Sequence, residues 1–328
     1  MKRNNLYIVW NPFQRRAESL ANEFNFKIFY YYHSWEEKGM VFKLISYLTK
    51  SIFTLKDLIR NKPQYIFLQL APTPLLYTGA LYCLFADCKY IADCHNTMIY
   101  DSHWIHWPFA KRLLCNSHIT IVHNDDVKYH ANNLKIHSVI LRDPLPSLTI
   151  SKKIKKISNI NLTTDTYIIV PCSMAIDEPI AELFEAAKAL PKIRFVFTWF
   201  EDRIPAKLRA KAPSNLTFTG FLKEQEFNSL YAHANAAVVL TTRQGTQPSG
   251  ASEAISLGIP LVISKIDTTT RLYENKPIYV ENDSESISNG IRLALSDFDK
   301  HSSLVYSLKK GLILEAKNQI NFIKEKLS

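Results

Sequence analysis

Short apolar segments alternate with helical segments along the chain, and this alternation constrains the fold more than any other feature. In the first half, apolar strands are predicted over residues 6–10, 27–32, 65–70, 90–93, 119–123 and 138–141. Helices are predicted over residues 14–24 and 40–61. Strands separated by helices favour a parallel sheet that is covered on both faces. The fold class is therefore α/β, with a doubly wound sheet in this half.

The same alternation returns in the second half after an interruption. Pro144 and Pro146 break the pattern, and the residues after them are rich in Lys and Ser. Strands resume over residues 167–170, 194–198, 217–219, 236–240 and 261–263, with a helix over 179–190. We predict two Rossmann-like domains, at residues 1–150 and 166–300, joined by a linker at 151–165 and followed by a helix at 301–328 that crosses back. Ligands bind at the carboxyl ends of parallel strands, so we expect the two domains to face each other across a cleft.

Residues 64–86 carry no charged side chain and are long enough to span a bilayer. Pro72 and Pro74 divide this stretch after its apolar first part. Proline is tolerated in the first turn of a helix but not in its interior. A buried strand followed by a helix that begins at Pro74 is therefore favoured over a transmembrane span.

Residues 249–264 combine an anion site with a carboxylate. Ser249, Gly250, Ala251 and Ser252 open a predicted helix, Glu253 follows in its first turn, and Gly258 and Pro260 end it before a strand. The N–H groups and the positive dipole end of a helix N-terminus attract anions. A carboxylate beside a bound phosphate accepts hydrogen bonds from ribose hydroxyls, which suits a nucleotide-sugar site. A plain N-cap and glycine C-cap in another α/β fold remain the alternative.

This stretch resembles the donor-binding segment of GT-B glycosyltransferases, in particular family 4-like, nucleotide-sugar-dependent transferases of surface polysaccharide biosynthesis. Those enzymes often carry a Glu, seven residues and a second Glu, then an Ala-rich helical turn and Gly-x-Pro-Val/Leu-Val. Glu253 matches the second Glu, and residues 257–262 match the tail. The resemblance implies that Glu253 binds ribose and that N–H groups of Ser249 to Ser252 hold the diphosphate. It also implies that Phe221 contacts the base, although core packing is the alternative for Phe221.

Two departures from that family pattern concern the leaving group. Gly245 stands where the first Glu is expected, and the loop at residues 170–180 lacks the Arg and Lys that retaining members tend to carry. A leaving diphosphate still has to be stabilised. We therefore expect Arg243 to supply the cation, with Gln244 and Gln247 holding hydroxyls of the donor sugar. A surface position without function is the alternative for Arg243.

A conspicuous polar cluster in the first half follows the predicted strand at residues 90–93. An inverting transfer needs one base that takes the proton of the acceptor hydroxyl. We predict Asp93 as this catalytic base, His95 as a hydroxyl or phosphate contact and Asn96 as a positioning residue. Asp101 is the reserve candidate for the base. A helix cap and a packing histidine are the alternative roles for Asp93 and His95.

The net positive charge of the chain lies in its first half. Residues 1–160 carry 21 Lys and Arg against 11 Asp and Glu, whereas residues 161–328 carry 19 of each. A basic surface attracts anionic lipid or a phosphorylated acceptor, and Arg15 and Arg16 are candidates for contacting an acceptor phosphate. We expect peripheral contact with an anionic membrane. We expect no nucleic-acid partner, because no recognised nucleic-acid motif accompanies the high isoelectric point.

Five cysteines without motif spacing suit a reduced, cytosolic compartment. The histidines lack recognised metal-ligand spacing, so no metal and no other cofactor is expected. Together these observations predict a cytoplasmic glycosyltransferase, peripheral at the inner face of the cell membrane. It would move a sugar, with inversion, from a nucleoside-diphosphate sugar to a glycan or a polyprenyl-phosphate-linked acceptor. A retaining transferase with an altered donor site, and a non-catalytic subunit that binds sugar or nucleotide, stay open as alternatives.

Overall fold

A computed structural model describes residues 5–100, 103–151, 153–245 and 247–327. The chain divides into two compact units, one of residues 1–144 with 315–328 and the other of residues 145–314. The boundary after Pro144 falls where the alternating pattern of the sequence breaks. Residues 151–165, which we predicted as a linker, lie within the second unit and contain a two-stranded antiparallel sheet.

The first unit alternates strands and helices from its first described residues. Its elements are β1 (Leu6–Val9), α1 (Arg15–Phe24), β2 (Lys27–Tyr30), α2 (Met40–Asn61), β3 (Tyr65–Leu70), α3 (Thr73–Phe85), β4 (Lys89–Cys94), α4 (Asn96–Ile99), α5 (Ala110–Cys115), β5 (Ile119–Val122), α6 (Asp125–Asn133) and β6 (Ser138–Ile140). Short 3₁₀ helices lie at Ser34–Lys38 and Trp104–His106. The charge-free residues 64–86 form β3 and α3, as predicted.

The second unit repeats this architecture. Its elements are β7 (Lys156–Ile157), β8 (Ile160–Asn161), β9 (Tyr167–Val170), α7 (Ile180–Lys188), β10 (Arg194–Phe197), α8 (Ala206–Arg209), β11 (Leu216–Phe218), α9 (Glu224–Ala232), β12 (Ala236–Val239), α10 (Ser249–Leu257), β13 (Leu261–Ser264), α11 (Asp267–Tyr273), β14 (Ile278–Val280), α12 (Ser284–Ser296) and α13 (Phe298–Leu327). A 3₁₀ turn lies at Glu201–Arg203. Sequence patterning missed β14, α11 and α12.

Each unit is built on one six-stranded sheet in which all neighbouring strands are parallel. The strand order is β2-β1-β3-β4-β5-β6 in the first sheet and β11-β10-β9-β12-β13-β14 in the second. The second order reverses between β9 and β12, and ligands of doubly wound sheets bind beyond the strand ends at such a reversal. The predicted pair of Rossmann-like folds is confirmed.

Apolar side chains cover both faces of both sheets, as parallel sheets require. In β1, Leu6 and Ile8 pack on one face, whereas Tyr7 and Val9 pack on the other. The same alternation holds in β9, where Tyr167 and Ile169 face away from Ile168 and Val170. This two-sided burial explains why the strands read as continuous apolar runs in the sequence.

Helix α13 belongs to both units. Its residues up to Leu314 lie in the second unit, and those from Glu315 lie in the first. Within the first unit, Ile320 and Ile323 join the apolar core around β1. Arg142 holds this end by its Nε, which donates to Glu315 Oε1 at 2.8 Å.

Several helix ends follow directly from local residue types. Asn25 and Gly258 adopt the left-handed conformation that ends α1 and α10. Asn124 and Asp283 begin α6 and α12, because the side chain of each accepts the backbone N–H of the residue three positions onward. Among the described residues, no helix is both long and apolar enough to cross a membrane.

Candidate functional site

The carboxyl edge of the first sheet holds a buried ion-pair network centred on Arg16. Arg16 lies in the first turn of α1, and its Nε and Nη2 donate to the two carboxylate oxygens of Asp93 at 3.1 and 2.9 Å. Its Nη1 donates to Asp143 Oδ1 at 2.7 Å. Tyr7, from β1, donates its hydroxyl to Asp93 Oδ2 at 2.5 Å. Parallel strands bring these groups together, because β1, β4 and β6 all end at the same edge.

Charge balance inside the protein sets the protonation of this network. Burial by itself favours the neutral form of Asp93, but the adjacent Arg16 charge and its hydrogen bonds hold the pKa of Asp93 well below its ordinary value. Burial opposes ionisation of Asp143 as well, but its neighbours His123 and Arg16 lower its pKa. Both carboxyl groups are therefore ionised, with Arg16 between them.

Two histidines lie against this network. The rings of His95 and His123 are 4.4 Å apart between centroids, and His95 Nε2 is 2.9 Å from Nε2 of Gln69 on β3. His123 Nδ1 lies 3.8 Å from Asp143 Oδ1 and Nε2 lies 3.9 Å from Asp93 Oδ1. Burial, followed by repulsion from Arg16, lowers the pKa of His123 to about 3. Burial also lowers the pKa of His95, so both rings are neutral near pH 7.

The structure corrects two predictions for this edge. A general base has to reach the substrate and hold a proton, but Asp93 is fully buried and both its oxygens are already bonded. Its position makes it an anchor for Arg16. Arg16 in turn is 6% exposed, and its guanidinium forms ion pairs with two carboxylates. It is therefore not a surface contact for an acceptor phosphate.

The other residues predicted for the acceptor lie nearby with different exposure. Arg15 is exposed at the start of α1. His95 and Asn96 are half-buried where β4 passes into α4, His95 as the N-cap residue. The reserve base Asp101 lies outside the described residues.

Asp93, His95 and His123 also form a group of possible metal ligands, with donor atoms within 4.8 Å of one another. The chemistry of the group does not suit a cation, because Arg16 already neutralises its one carboxylate and would repel a metal ion at this distance.

The sequence Asp297-Phe-Asp299, at the start of α13, also places two carboxylates close together. There Asp297 Oδ1 accepts the backbone N–H of Lys300, which is a capping role.

The carboxyl edge of the second sheet is tied together by short polar side chains. Thr241, after β12, donates its hydroxyl to Asp177 Oδ2 at 2.6 Å, and its N–H donates to Ser264 Oγ at 2.9 Å. Ser264 Oγ donates to Asn282 Oδ1 at 2.6 Å, and Asn282 Nδ2 donates to the carbonyl oxygen of Thr241. These contacts join the loops after β9, β12, β13 and β14 at the strand-order reversal.

Helix α10 begins beside this edge and presents an open N-terminus. Pro248 precedes it without a side-chain cap, and its carbonyl accepts the N–H groups of Ala251 and Ser252. Within the part of the chain that the structure describes, the N–H groups of Ser249 and Gly250 have no partner. Gly250 is required here because a Cβ would lie 2.6 Å from Pro171 Cγ. The turn is thereby packed closely on the loop after β9.

Glu253 is the fifth residue of α10 and therefore opens its second turn. The prediction that Glu253 lies in the first turn is wrong by this one position. It is 7% exposed and lies beside the buried Tyr231, whose pKa is raised by burial and further by the Glu253 charge. Tyr231 donates its hydroxyl to the carbonyl of Gly250 at 2.7 Å. The carboxylate is therefore offset from the N–H groups that would receive an anion, which reduces its repulsion of phosphate.

The side chains that we predicted to bind the donor sugar have partners in the protein. Gln244 Oε1 accepts the Thr268 hydroxyl at 3.1 Å, and Gln247 Nε2 donates to Ser252 Oγ at 3.0 Å. Both amides therefore shape the loop that leads into α10. Arg243 is exposed in the same loop. Phe221 is 81% exposed after β11, so the alternative of core packing is excluded for it.

The loop after β9 contains its own anion. Glu178 accepts the N–H groups of Ser173 and Ala175 at 3.0 and 3.1 Å. A cavity of about 380 Å³ lies beside this loop, with Thr242 and Asn282 in its lining. Neither α10 nor Phe221 lines it, so we do not identify this cavity with the predicted donor site.

Sequence reasoning missed the residues that hold each edge together. In the first unit these are Tyr7, His123 and Asp143, and in the second they are Asp177, Thr241, Ser264 and Asn282. His123, Thr241 and Asn282 each stand one or two residues beyond a strand. That position in a parallel sheet is the signal from which they are recognisable.

Replacement of Asp93 by Asn should destabilise the protein by about 3 kcal/mol, because Arg16 stays buried after losing a charged partner. Urea unfolding of purified protein measures this loss. Glu185→Gln, which removes the exposed pair between Glu185 and Lys188, is the control and should cost at most ~1 kcal/mol. Equal effects of the two variants would contradict the anchoring role of Asp93.

Acid should destabilise the first unit before its carboxylates titrate. The pKa of His123 is about 3 in the folded protein and about 6.5 in an unfolded chain, so below pH 6.5 the unfolded state binds a proton that the folded state refuses. The contribution of His123 to the free energy of unfolding is fully present above pH 6.5. It falls by about 1.4 kcal/mol per pH unit towards pH 3. Unfolding curves at several pH values should show a shallower slope for His123→Gln. An unchanged slope would exclude His123 as the titrating group.

Comparisons with known proteins address the family and the fold. Residues 154–311 match the family model described as Glycosyl transferases group 1. No curated protein matches the chain by sequence. Similar solved structures include a glycosyltransferase from Rickettsia africae, with 12% identity, 100% of each chain covered and a TM-score of 0.69. Sucrose-phosphate synthase from Thermosynechococcus elongatus is 13% identical over 99% of each chain, with a TM-score of 0.70.

Anabaena HepE, solved in complex with UDP, is 12% identical over 99% of each chain, with a TM-score of 0.65. The structural matches show the fold, and the family match covers most of the second unit, including Glu253 and all of α10. The resemblance read from residues 249–264 is confirmed. Over residues 154–311 the chain matches the Glycosyl transferases group 1 family, and it is a nucleotide-sugar glycosyltransferase of the GT-B fold.

Proposed function

We propose that the second unit binds a UDP-linked sugar at the carboxyl edge of its sheet, with the diphosphate at the start of α10. The observation that carries this proposal is the open, tightly packed N-terminus of α10 at the strand-order reversal, with the carboxylate of Glu253 one turn further on. Helix N-termini of this kind hold phosphate through N–H groups and the helix dipole. HepE is described in complex with UDP and with UDP-glucose, which supports uracil as the base.

Each part of the donor has a candidate partner in this arrangement. The N–H groups of Ser249 and Gly250 would bind the diphosphate, and the Glu253 carboxylate would accept bonds from the ribose hydroxyls. Phe221 would contact the base, because a phenyl ring that is 81% exposed offers a flat apolar face. Arg243 would neutralise charge on the leaving diphosphate, since the loop after β9 holds the carboxylate of Glu178 in place of a basic residue.

The acceptor would be a glycan or a polyprenyl-phosphate-linked saccharide bound by the first unit. Arg15, His95 and Asn96 lie at or near the carboxyl edge of its sheet and would contact the acceptor. Asp93 and Arg16 would act through them, as positioning residues, because their own charges are already paired. His95, unlike Asp93, is half-buried.

We also propose that the sugar is transferred with retention, the alternative to the inversion expected from the sequence. The expected inversion depended on Asp93 as a base. Asp93, Asp143, His95 and His123 all have lowered pKa values, so each holds a proton poorly. In a retaining transfer on one face of the sugar, the departing phosphate oxygen can take the proton of the attacking hydroxyl. That route places no demand on a protein base.

Replacement of Glu253 by Ala should weaken UDP binding roughly ten- to a hundred-fold, because a charged acceptor lost from a hydrogen bond costs about 1.5–3 kcal/mol. Calorimetric titration of folded protein measures this change. The loss should shrink for 2′,3′-dideoxy-UDP, which lacks the ribose hydroxyls. Glu285→Gln, at an exposed position of α12, is the matched control and should bind UDP like the wild type. An unchanged dissociation constant for Glu253→Ala would contradict the donor site.

Retention should be visible in the first product formed from UDP-glucose, whose glucose is α-linked. Water can serve as the acceptor, and proton NMR recorded before mutarotation distinguishes the two anomers of the released glucose. We expect the α anomer to appear first. Initial release of the β anomer would contradict retention and make His95 the next candidate for the catalytic base.

A further inference from the structure

Helix α2 carries many of its apolar residues on the outside of the protein. Six of them form one stripe along the helix and are each between 48% and 68% exposed: Val41, Leu44, Ile45, Leu48, Ile52 and Ile59. The stripe is roughly 27 Å long, at 1.5 Å per residue. Single exposed apolar residues are ordinary on protein surfaces. A continuous stripe on an outer helix face marks a surface that binds an apolar partner.

The inner side of α2 carries three polar residues beside the apolar Tyr47 and Leu58, and their contacts fix which side faces outward. Ser46, Lys50 and Thr54 are buried. Ser46 Oγ lies 3.0 Å from His33 Nδ1, and Thr54 Oγ1 accepts the indole N–H of Trp10 at 3.1 Å. Lys50 Nζ lies 2.5 Å from Glu36 Oε1. Rotating the helix to bury the apolar stripe would break all three contacts and leave the Lys50 charge and its partner unmatched.

The charges beside the stripe are positive. Lys43, Lys56 and Arg60 are exposed on α2. Asp57 is the only acidic residue between Met40 and Asn61, and its Oδ2 accepts the hydroxyl of Tyr31 at 2.6 Å. The outer face of α2 is therefore apolar and cationic.

The neighbouring helix α3 extends this surface. It packs beside α2 through Thr78, which donates to Ser51 Oγ, and through Tyr82, which donates to the carbonyl of Leu58. Near its end, α3 exposes Leu81, Leu84 and Phe85, the last at 86%. Two adjacent helices thus offer apolar side chains to the outside of the first unit.

We infer that the outer face of α2 is the surface by which the protein binds an anionic lipid bilayer, with its apolar stripe in the interfacial region. An interfacial helix pairs an apolar face with Lys and Arg that contact anionic headgroups. Two copies of this chain meeting through α2 would bring Lys43, Lys56 and Arg60 together without acidic partners on that helix. Charge complementarity therefore favours lipid. This inference extends the proposed function, because a polyprenyl-phosphate-linked acceptor is held in such a bilayer.

The test is sedimentation of the full-length protein with vesicles of phosphatidylcholine, with and without phosphatidylglycerol. Wild type should bind the vesicles that contain phosphatidylglycerol, and binding should weaken with salt. Leu44→Gln combined with Leu48→Gln should lower the partition coefficient about ten- to a hundred-fold. The matched control combines Leu293→Gln with Ile313→Gln, at positions of the second unit with 48% and 50% exposure, and should bind like wild type.

Lys56→Gln combined with Arg60→Gln should remove the preference for phosphatidylglycerol and leave the fold intact by circular dichroism. Equal vesicle binding by wild type and the Leu44/Leu48 variant would overturn the inference. So would a dimer in sedimentation velocity that this variant abolishes, with no vesicle binding by wild type. UDP titration without lipid separates this inference from the proposed function, because the α2 variants should bind UDP normally whether or not lipid binding fails.

Discussion

The parallel direction of every strand in both sheets is the constraint on which the rest of this structure depends. Because the strands of a sheet end at one edge, residues far apart in sequence meet there. Tyr7, Arg16, Asp93 and Asp143 converge in this way in the first unit. In the second unit, Asp177, Thr241, Ser264 and Asn282 do the same. Both units therefore carry their polar chemistry at the carboxyl edge, on apolar sheets that are buried on both faces.

The two edges use charge differently. In the first unit a buried guanidinium holds two carboxylates, and burial together with this guanidinium lowers the pKa of two histidines. This arrangement favours orientation of a substrate over removal of its proton. In the second unit neutral hydroxyl and amide groups fix the loops, and the backbone of α10 offers the attraction for an anion. A transfer whose proton goes to the leaving phosphate is compatible with both edges.

The sequence predicts the fold well because apolar runs and helix periodicity are local signals. The bounds of α2, β3 and β9 follow from them directly, and the glycine and proline after Leu257 mark the end of α10. Glu253 is recognisable because its motif is contiguous. The role of Asp93 is not recognisable from the sequence, since it depends on Arg16, which is 77 residues away. No local pattern shows that these two residues are paired. The exposed apolar stripe of α2 was missed for the same reason, because periodicity shows that a stripe exists but not which side of the helix faces inward.

The central claim is that UDP binds at the start of α10, and hydrogen exchange measured by mass spectrometry with and without UDP tests it most directly. The account predicts slower exchange in peptides that contain Ser249 and Gly250, in the loop after β12 and around Phe221. Peptides from the first unit should not change directly on binding UDP. Unchanged exchange at the start of α10 under saturating UDP, or protection confined to the first unit, would contradict the claim.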